Sequence, residues 1–197
     1  MSSVAIDLFS LPEVIFEGST FNILAVCVDR HSGWIVAVPV ESSSPSGKGV
    51  TGEQVAKLML RHHWRPFGIP SVITCDRGPH FISSWWQALC AKLGIRVAYA
   101  QAYHHQANGR AERAGQEVME RVRKMHDEMG ISWVEALPQI LDRYHDTPGE
   151  TNLSPYESLF GREGPLANRP YHPPGNRAMR RNLSNGWPLS TRKLPQS

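Results

Sequence analysis

Apolar positions along this chain follow two rhythms, one of period two and one near 3.6 residues, and their alternation predicts the elements. Residues 4–11, Val-Ala-Ile-Asp-Leu-Phe-Ser-Leu, read as a strand that Leu11-Pro12 is expected to end, because proline lacks the N–H a ladder needs. After the polar turn Glu17-Gly18-Ser19, residues 21–29 form a continuous run rich in Val, Ile and Leu, the pattern of a central strand buried on both faces. His31-Ser32-Gly33 then leads into Trp34-Ile35-Val36-Ala37-Val38. Three strands joined by short turns predict an antiparallel meander.

Beyond a Ser/Pro/Gly-rich polar loop at residues 41–52, the period changes. Thr51-Gly52-Glu53 starts a helix to about residue 64, with Val55, Leu58, Met59 and His62 on one face and Pro66 and Gly68 ending it. Residues 71–75 are a fourth strand, stopping at Asp76-Arg77-Gly78. Ser83 is a cap for a helix that carries Trp86, Leu89, Cys90 and Leu93 at i, i+3, i+4, i+7 and ends at Gly94; Trp85 and Trp86 are both assigned to core packing. Residues 96–100 are a short fifth strand. Asn108 is a good cap for a long helix over 109–129, whose Ala111, Ala114, Val118, Val122, Met125 and Met129 share a face. Gly115 is a weak point within it, tolerated for close packing or for the approach of DNA. Ser132 caps a helix to about residue 144 that Pro138 is expected to kink, and Ser154-Pro155 opens a short helix closed by Gly161. Past Gly161 the periodicity stops. The order predicts an α/β chain with a mixed sheet in a domain of residues 1–161, followed by a disordered tail at 162–197.

Charge sharpens that division. Residues 1–161 hold 14 Lys/Arg against 17 Asp/Glu, whereas 162–197 hold 7 against one. A basic end is a plausible contact for nucleic acid, although solubility alone explains it too. No apolar run approaches the roughly 20 residues of a membrane span, and no secretory leader is legible, so an intracellular protein without a membrane partner is expected. Cys27, Cys75 and Cys90 lie in apolar stretches, without the spacing of a disulfide framework or a zinc site, and read as small core residues.

Three acids stand out against this background. Asp7 interrupts a strand, where a carboxylate is costly unless paired or bound to metal. Asp76 ends the fourth strand, and Glu112 lies in the first turn of the long helix, where the helix dipole tolerates its charge. Each has a bland reading, as a turn former or a surface charge. Thirty-five residues lie between Asp76 and Glu112.

That spacing, with Cys75-Asp76-Arg77-Gly78-Pro79-His80-Phe81, Tyr103-His104-His105-Gln106 and Asn108-Gly109-Arg110-Ala111-Glu112-Arg113, resembles the D,D-35-E catalytic core of retroviral and long-terminal-repeat retrotransposon integrases, most of all the Ty3/Gypsy class. The resemblance covers roughly residues 4–161. It implies the ribonuclease H-like fold, a mixed five-stranded sheet with flanking helices, in which the first and fourth strands are neighbours. It also implies that Asp7, Asp76 and Glu112 are the catalytic acids and hold two Mg²⁺ or Mn²⁺ ions. Asp7 would bridge both ions, with Asp76 on one and Glu112 on the other. The activity implied is trimming of retroelement DNA 3′ ends and their joining to target DNA, by a homo-oligomer in the nucleus.

Tyr103, Gln106, Asn108, Arg110, Arg113 and Gln116 are the implied DNA contacts, against the alternatives of a solvated helix face for the arginines and a mere cap for Asn108. The chain departs from the family in three ways. The 68 residues between Asp7 and Asp76 exceed the usual number, which the polar loop near 41–50 can absorb. Gly109-Arg110-Ala111-Glu112-Arg113 varies from the commoner block but keeps the acid. The family's zinc-binding and C-terminal domains have no counterpart in the spacing, so they are expected in trans if the chain integrates DNA. The rival reading is an integrase-derived module that binds DNA or protein without catalysis.

Overall fold

Strand β1 (Ser3–Phe16) does not stop at Pro12, the first expectation that the computed structural model of the chain corrects. Its register against β2 (Ser19–Asp29) slips between Ser10 and Val14. Pro12 lies in that irregularity, where a missing N–H interrupts no regular ladder. Its carbonyl accepts a 2.9 Å hydrogen bond from Trp133 Nε1–H, which ties the bulge to a helix 121 residues away. The structure describes residues 2–41, 50–99, 109–149 and 152–165, with the side chains of 109–112 and 128–129 outside that description. All of these residues fall within one unit, Met1–Ala167. The expected tail lies outside the described residues from 166 onward, as does most of the polar loop.

Strand β3 (Ile35–Glu41) completes the antiparallel meander, β4 (Val72–Cys75) lies parallel to β1, and β5 (Arg96–Tyr99) lies parallel to β4. The sheet order is β3-β2-β1-β4-β5, five strands with the first and fourth adjacent, as the resemblance implied. Alternation along the strands builds a core on each face. Val4, Ile6, Ala25, Cys27, Ile73 and Cys75 point to one side, where they meet α1 (Gly52–Met59) and α4 (Ser84–Lys92). Leu24, Val26 and Val28 point to the other, under α5 (Gly109–Met129) and α6 (Trp133–Asp146). The three cysteines are free and buried.

Helix α1 opens with a capping box between Thr51 and Gln54. It passes through a π-helical segment, Leu60–Trp64, into the short α2 (Arg65–Phe67), so the helical run outlasts its predicted end and contains Pro66. The wider π turn advances the inward face by one position: His63 is buried at 1% exposure, whereas His62, expected inward, is exposed. A second correction concerns the tryptophans: Trp86 is fully buried, but Trp85 is 45% exposed. Between β4 and α4 an unpredicted turn of helix, α3 (Pro79–Ile82), starts with proline in its first turn. Helix α6 runs through Pro138 to Asp146, and α7 (Pro155–Phe160) is capped by a Ser154–Glu157 box and ends at left-handed Gly161.

Candidate active site

Pairing of β1 with β4 sets Ser3 opposite Val72, Val4 opposite Ile73 and Ala5 opposite Thr74, a constant offset of 69 that also relates Asp7 to Asp76. Continued two residues past the last pair, that offset brings Asp7 of β1 level with Asp76, the residue that follows β4. Asp7 falls between Ala5 and Phe9 in the alternation, and both of those pack toward the core beneath α5 and α6. Asp76 follows Cys75, which faces the opposite core, so it continues on the same side as Asp7. Both acids are exposed. Neither therefore bears the cost of a buried carboxylate.

Local backbone fixes one oxygen of each acid. Asp7 Oδ1 accepts from Leu8 N–H at 2.8 Å, and Asp76 Oδ1 accepts from Gly78 N–H at 2.9 Å. The second is an Asx-type turn, which a strand ending in Asp-x-Gly favours. The buried Cys75 thiol lies in the field of both acids: burial pushes its pKa up to about 12, with further raising by Asp76, Cys90 and Asp7. Two carboxylates whose fields overlap at one sulfur make a site that a hard cation would stabilise.

Glu112 belongs to α5, and its side chain lies outside the described residues. Its backbone position is one turn before Gly115, where an added Cβ would sit 3.7 Å from Phe9 Cζ. The first turns of α5 thus pass over the part of β1 that carries Asp7 and Phe9. Among the described residues, no group of three or more His, Cys, Asp or Glu side chains forms a metal cage.

The implied DNA contacts divide. Tyr103, Gln106 and Asn108 lie outside the described residues, and of Arg110 only the helical backbone is described. Gln116 is exposed on α5. Arg113 is exposed as well and lines, with Glu117, a cleft of about 240 Å³ whose other wall is Gly33, Tyr144, Pro148 and Leu153. Glu117 pairs with Arg121, so this face of α5 is partly self-neutralised.

One neighbour of Asp76 was missed by the sequence reading. His80 lies partly buried beside it, and burial holds its imidazole below the usual histidine range against the opposite pull of Asp76. Its signal in the sequence is its place in the block from Cys75 to Phe81 that also holds the acid. Arg77 extends over the Tyr99 ring at 5.3 Å, and Tyr99 Oη–H donates to the Phe81 carbonyl at 3.0 Å, which links β5 to α3.

Comparison with known proteins agrees with this architecture. The family described as Integrase core domain matches residues 4–105. The Gag-Pol polyprotein of avian reticuloendotheliosis virus is 35% identical over 157 residues, 80% of this chain and 13% of that protein. The Gag-Pol polyprotein of feline leukemia virus is 36% identical over 148 residues, 75% of this chain and 8% of that protein. The chain thus spans about a tenth of the length of these relatives. Among solved structures, the simian T-cell lymphotropic virus intasome in complex with the PP2A regulatory subunit B56 gamma superposes with a TM-score of 0.63 at 20% identity, covering 89% of this chain and 58% of that one. The HTLV-2 integrase catalytic core domain, in complex with magnesium in a trimeric form, gives 0.57 at 18% identity, covering 79% of this chain and 94% of that one. These likenesses identify the mixed sheet and its helices as the ribonuclease H-like fold. The chain belongs to the integrase core domain family, as a catalytic core of the retroviral type.

Proposed function

We propose that this chain is the polynucleotidyl transferase core of a retroelement integrase, which trims DNA 3′ ends and joins them to target DNA. The reading is supported above all by the β1–β4 register, whose offset, continued two residues beyond its last pair, relates Asp7 to Asp76. Glu112, carried over that stretch by α5, is the third acid in this reading. Together the three would hold two Mg²⁺ or Mn²⁺ ions, since their donors are all carboxylate oxygens. When bound, such ions lower the pKa of an attacking hydroxyl and stabilise charge on the phosphate in an in-line displacement.

The residues of the chain do the positioning. The bonds from Leu8 N–H and Gly78 N–H hold one oxygen of each aspartate in place. Arg110 and Arg113 would neutralise phosphates, contacts that position DNA without reading its sequence, and Tyr103, Gln106, Asn108 and Gln116 would be the further DNA contacts. The reading includes a homo-oligomer acting on chromosomal DNA in the nucleus. The magnesium and trimeric form of the HTLV-2 core support the ion and the oligomer by analogy.

The test is strand transfer on a branched DNA substrate that mimics the integration product, which presents the DNA already joined. Activity in Mn²⁺ or Mg²⁺ that disappears in Glu112→Gln is the expected result. A folded protein that binds the branched DNA but cleaves and joins nothing would refute the enzyme and leave a DNA-binding module.

A further inference from the structure

Gly78 has φ −57° and ψ 150°, a conformation open to any residue, so no left-handed turn requires glycine there. What excludes a side chain is space. A Cβ built on Gly78 would lie 2.6 Å from Cε1 and 2.8 Å from Nε2 of His80, and 3.0 Å from Asp76 Oδ1. The edge of an imidazole and the oxygen of an active-site acid therefore converge over one bare α-carbon.

The imidazole is itself braced. It packs edge-on against Phe81 with ring centroids 4.1 Å apart, and Phe81 is fully buried. The backbone oxygen of His80 presses on the start of α1, where a Cβ on Gly52 would come within 2.5 Å of it. Nε2 is buried without a hydrogen-bond partner, so this edge acts by filling volume rather than by donating or accepting.

We propose that His80 is a positioning residue for Asp76: its ring, wedged against Gly78, keeps the Asp76–Gly78 turn closed and the carboxylate aimed along the sheet face shared with Asp7. Removing the ring frees the turn to open, the Gly78 N–H to Asp76 Oδ1 bond to break, and the carboxylate to swing. The consequence for metal rests on the function proposed above, but the positioning itself is defined in the metal-free protein. Gly78 is the complementary half of the device. A methyl at 78 would collide with the ring, yet could occupy its place once the ring is gone.

The test uses the full chain with two readouts, amide exchange at Gly78 without metal and binding of Mn²⁺ alone by electron paramagnetic resonance. In His80→Ala the Gly78 amide is expected to exchange at least about tenfold faster, and Mn²⁺ to bind about tenfold more weakly, in the range typical of lost outer-sphere support. Gly78→Ala is expected to weaken Mn²⁺ similarly, and Gly78→Ala/His80→Ala to bind better than either single variant, because the methyl replaces the ring. That rescue would not arise from a general loss of stability. Unchanged Gly78 exchange in His80→Ala, or a double variant as weak as the two losses combined, overturns the proposal. If His80→Ala does not fold, His80→Gln takes its place under the same limits. Absence of Mn²⁺ binding in the wild type refutes the metal site instead, while Gly78 exchange still decides whether His80 positions Asp76.

Discussion

Acidification should destabilise this domain through two buried histidines, and His145 is the cleaner of them to test. Its ring stacks on Trp34 with centroids 3.6 Å apart and planes 2° from parallel, and its Nε2 lies 2.9 Å from the Ile35 carbonyl, joining α6 to β3. The ring is 8% exposed, and burial lowers its pKa from 6.5 to about 4, although the bond to Ile35 acts in the opposite direction. Protons therefore bind the unfolded chain more readily than the folded one throughout that window. Stability is fully present above the unfolded value of 6.5 and falls as pH drops toward 4. With 1.36 kcal/mol per pKa unit, lowering the pH from 7.5 to 4.5 should remove about 2–3 kcal/mol through His145 alone.

Urea denaturation of wild type and His145→Phe across this range provides the assay. The phenyl ring keeps the stack but loses the bond to Ile35, a pH-independent cost of about 1 kcal/mol. Carboxylate titration is common to both proteins and cancels in the difference, so the variant should lose less stability on acidification, and the two curves should cross before pH 4.5 because the loss through His145 exceeds the cost of the substitution. Parallel curves from pH 7.5 to 4.5 would refute the argument. His63 is also held near 4 by burial, with Asp29 pulling the other way, and should contribute in the same direction.

Two substitutions test the packing. Trp86→Ala should cost about 3–5 kcal/mol, whereas Trp85→Ala should stay within about 1 kcal/mol because its ring is 45% exposed; chemical denaturation compares the two directly. Gly115→Ala should raise stability by up to about 1 kcal/mol, since the new methyl meets Phe9 at an ordinary 3.7 Å and the helix gains propensity; a lower melting temperature would show that α5 needs the glycine for closer approach.

Much of the architecture was written in local pattern. The apolar runs of β2 and β4, the cap at Ser83 and the span of α5 are properties of short stretches, and each lies within a residue or two of its expected place. Local pattern failed where a neighbour decides. Pro12 reads as a stop, but β1 continues because the register slips where proline lacks its N–H, and Trp133 Nε1–H donates to the Pro12 carbonyl. His62 and His63 exchange roles because one π turn rotates the helix face. Trp85 and Trp86 are equally apolar, and only the direction of α4 against the sheet makes one core and the other surface.

The acids divide in the same way. Sequence by itself determined which carboxylates to consider, since Asp7, Asp76 and Glu112 sit in recognisable blocks with a fixed interval. Tertiary structure alone decided that the β1–β4 offset carries Asp7 to Asp76, because that depends on a parallel register between two strands whose acids have 68 residues between them. It also decided that His80 meets Asp76 over Gly78, a contact that no periodicity encodes. Periodicity records which face of an element is buried; it carries no information on which residues of two distant elements share the same few ångströms.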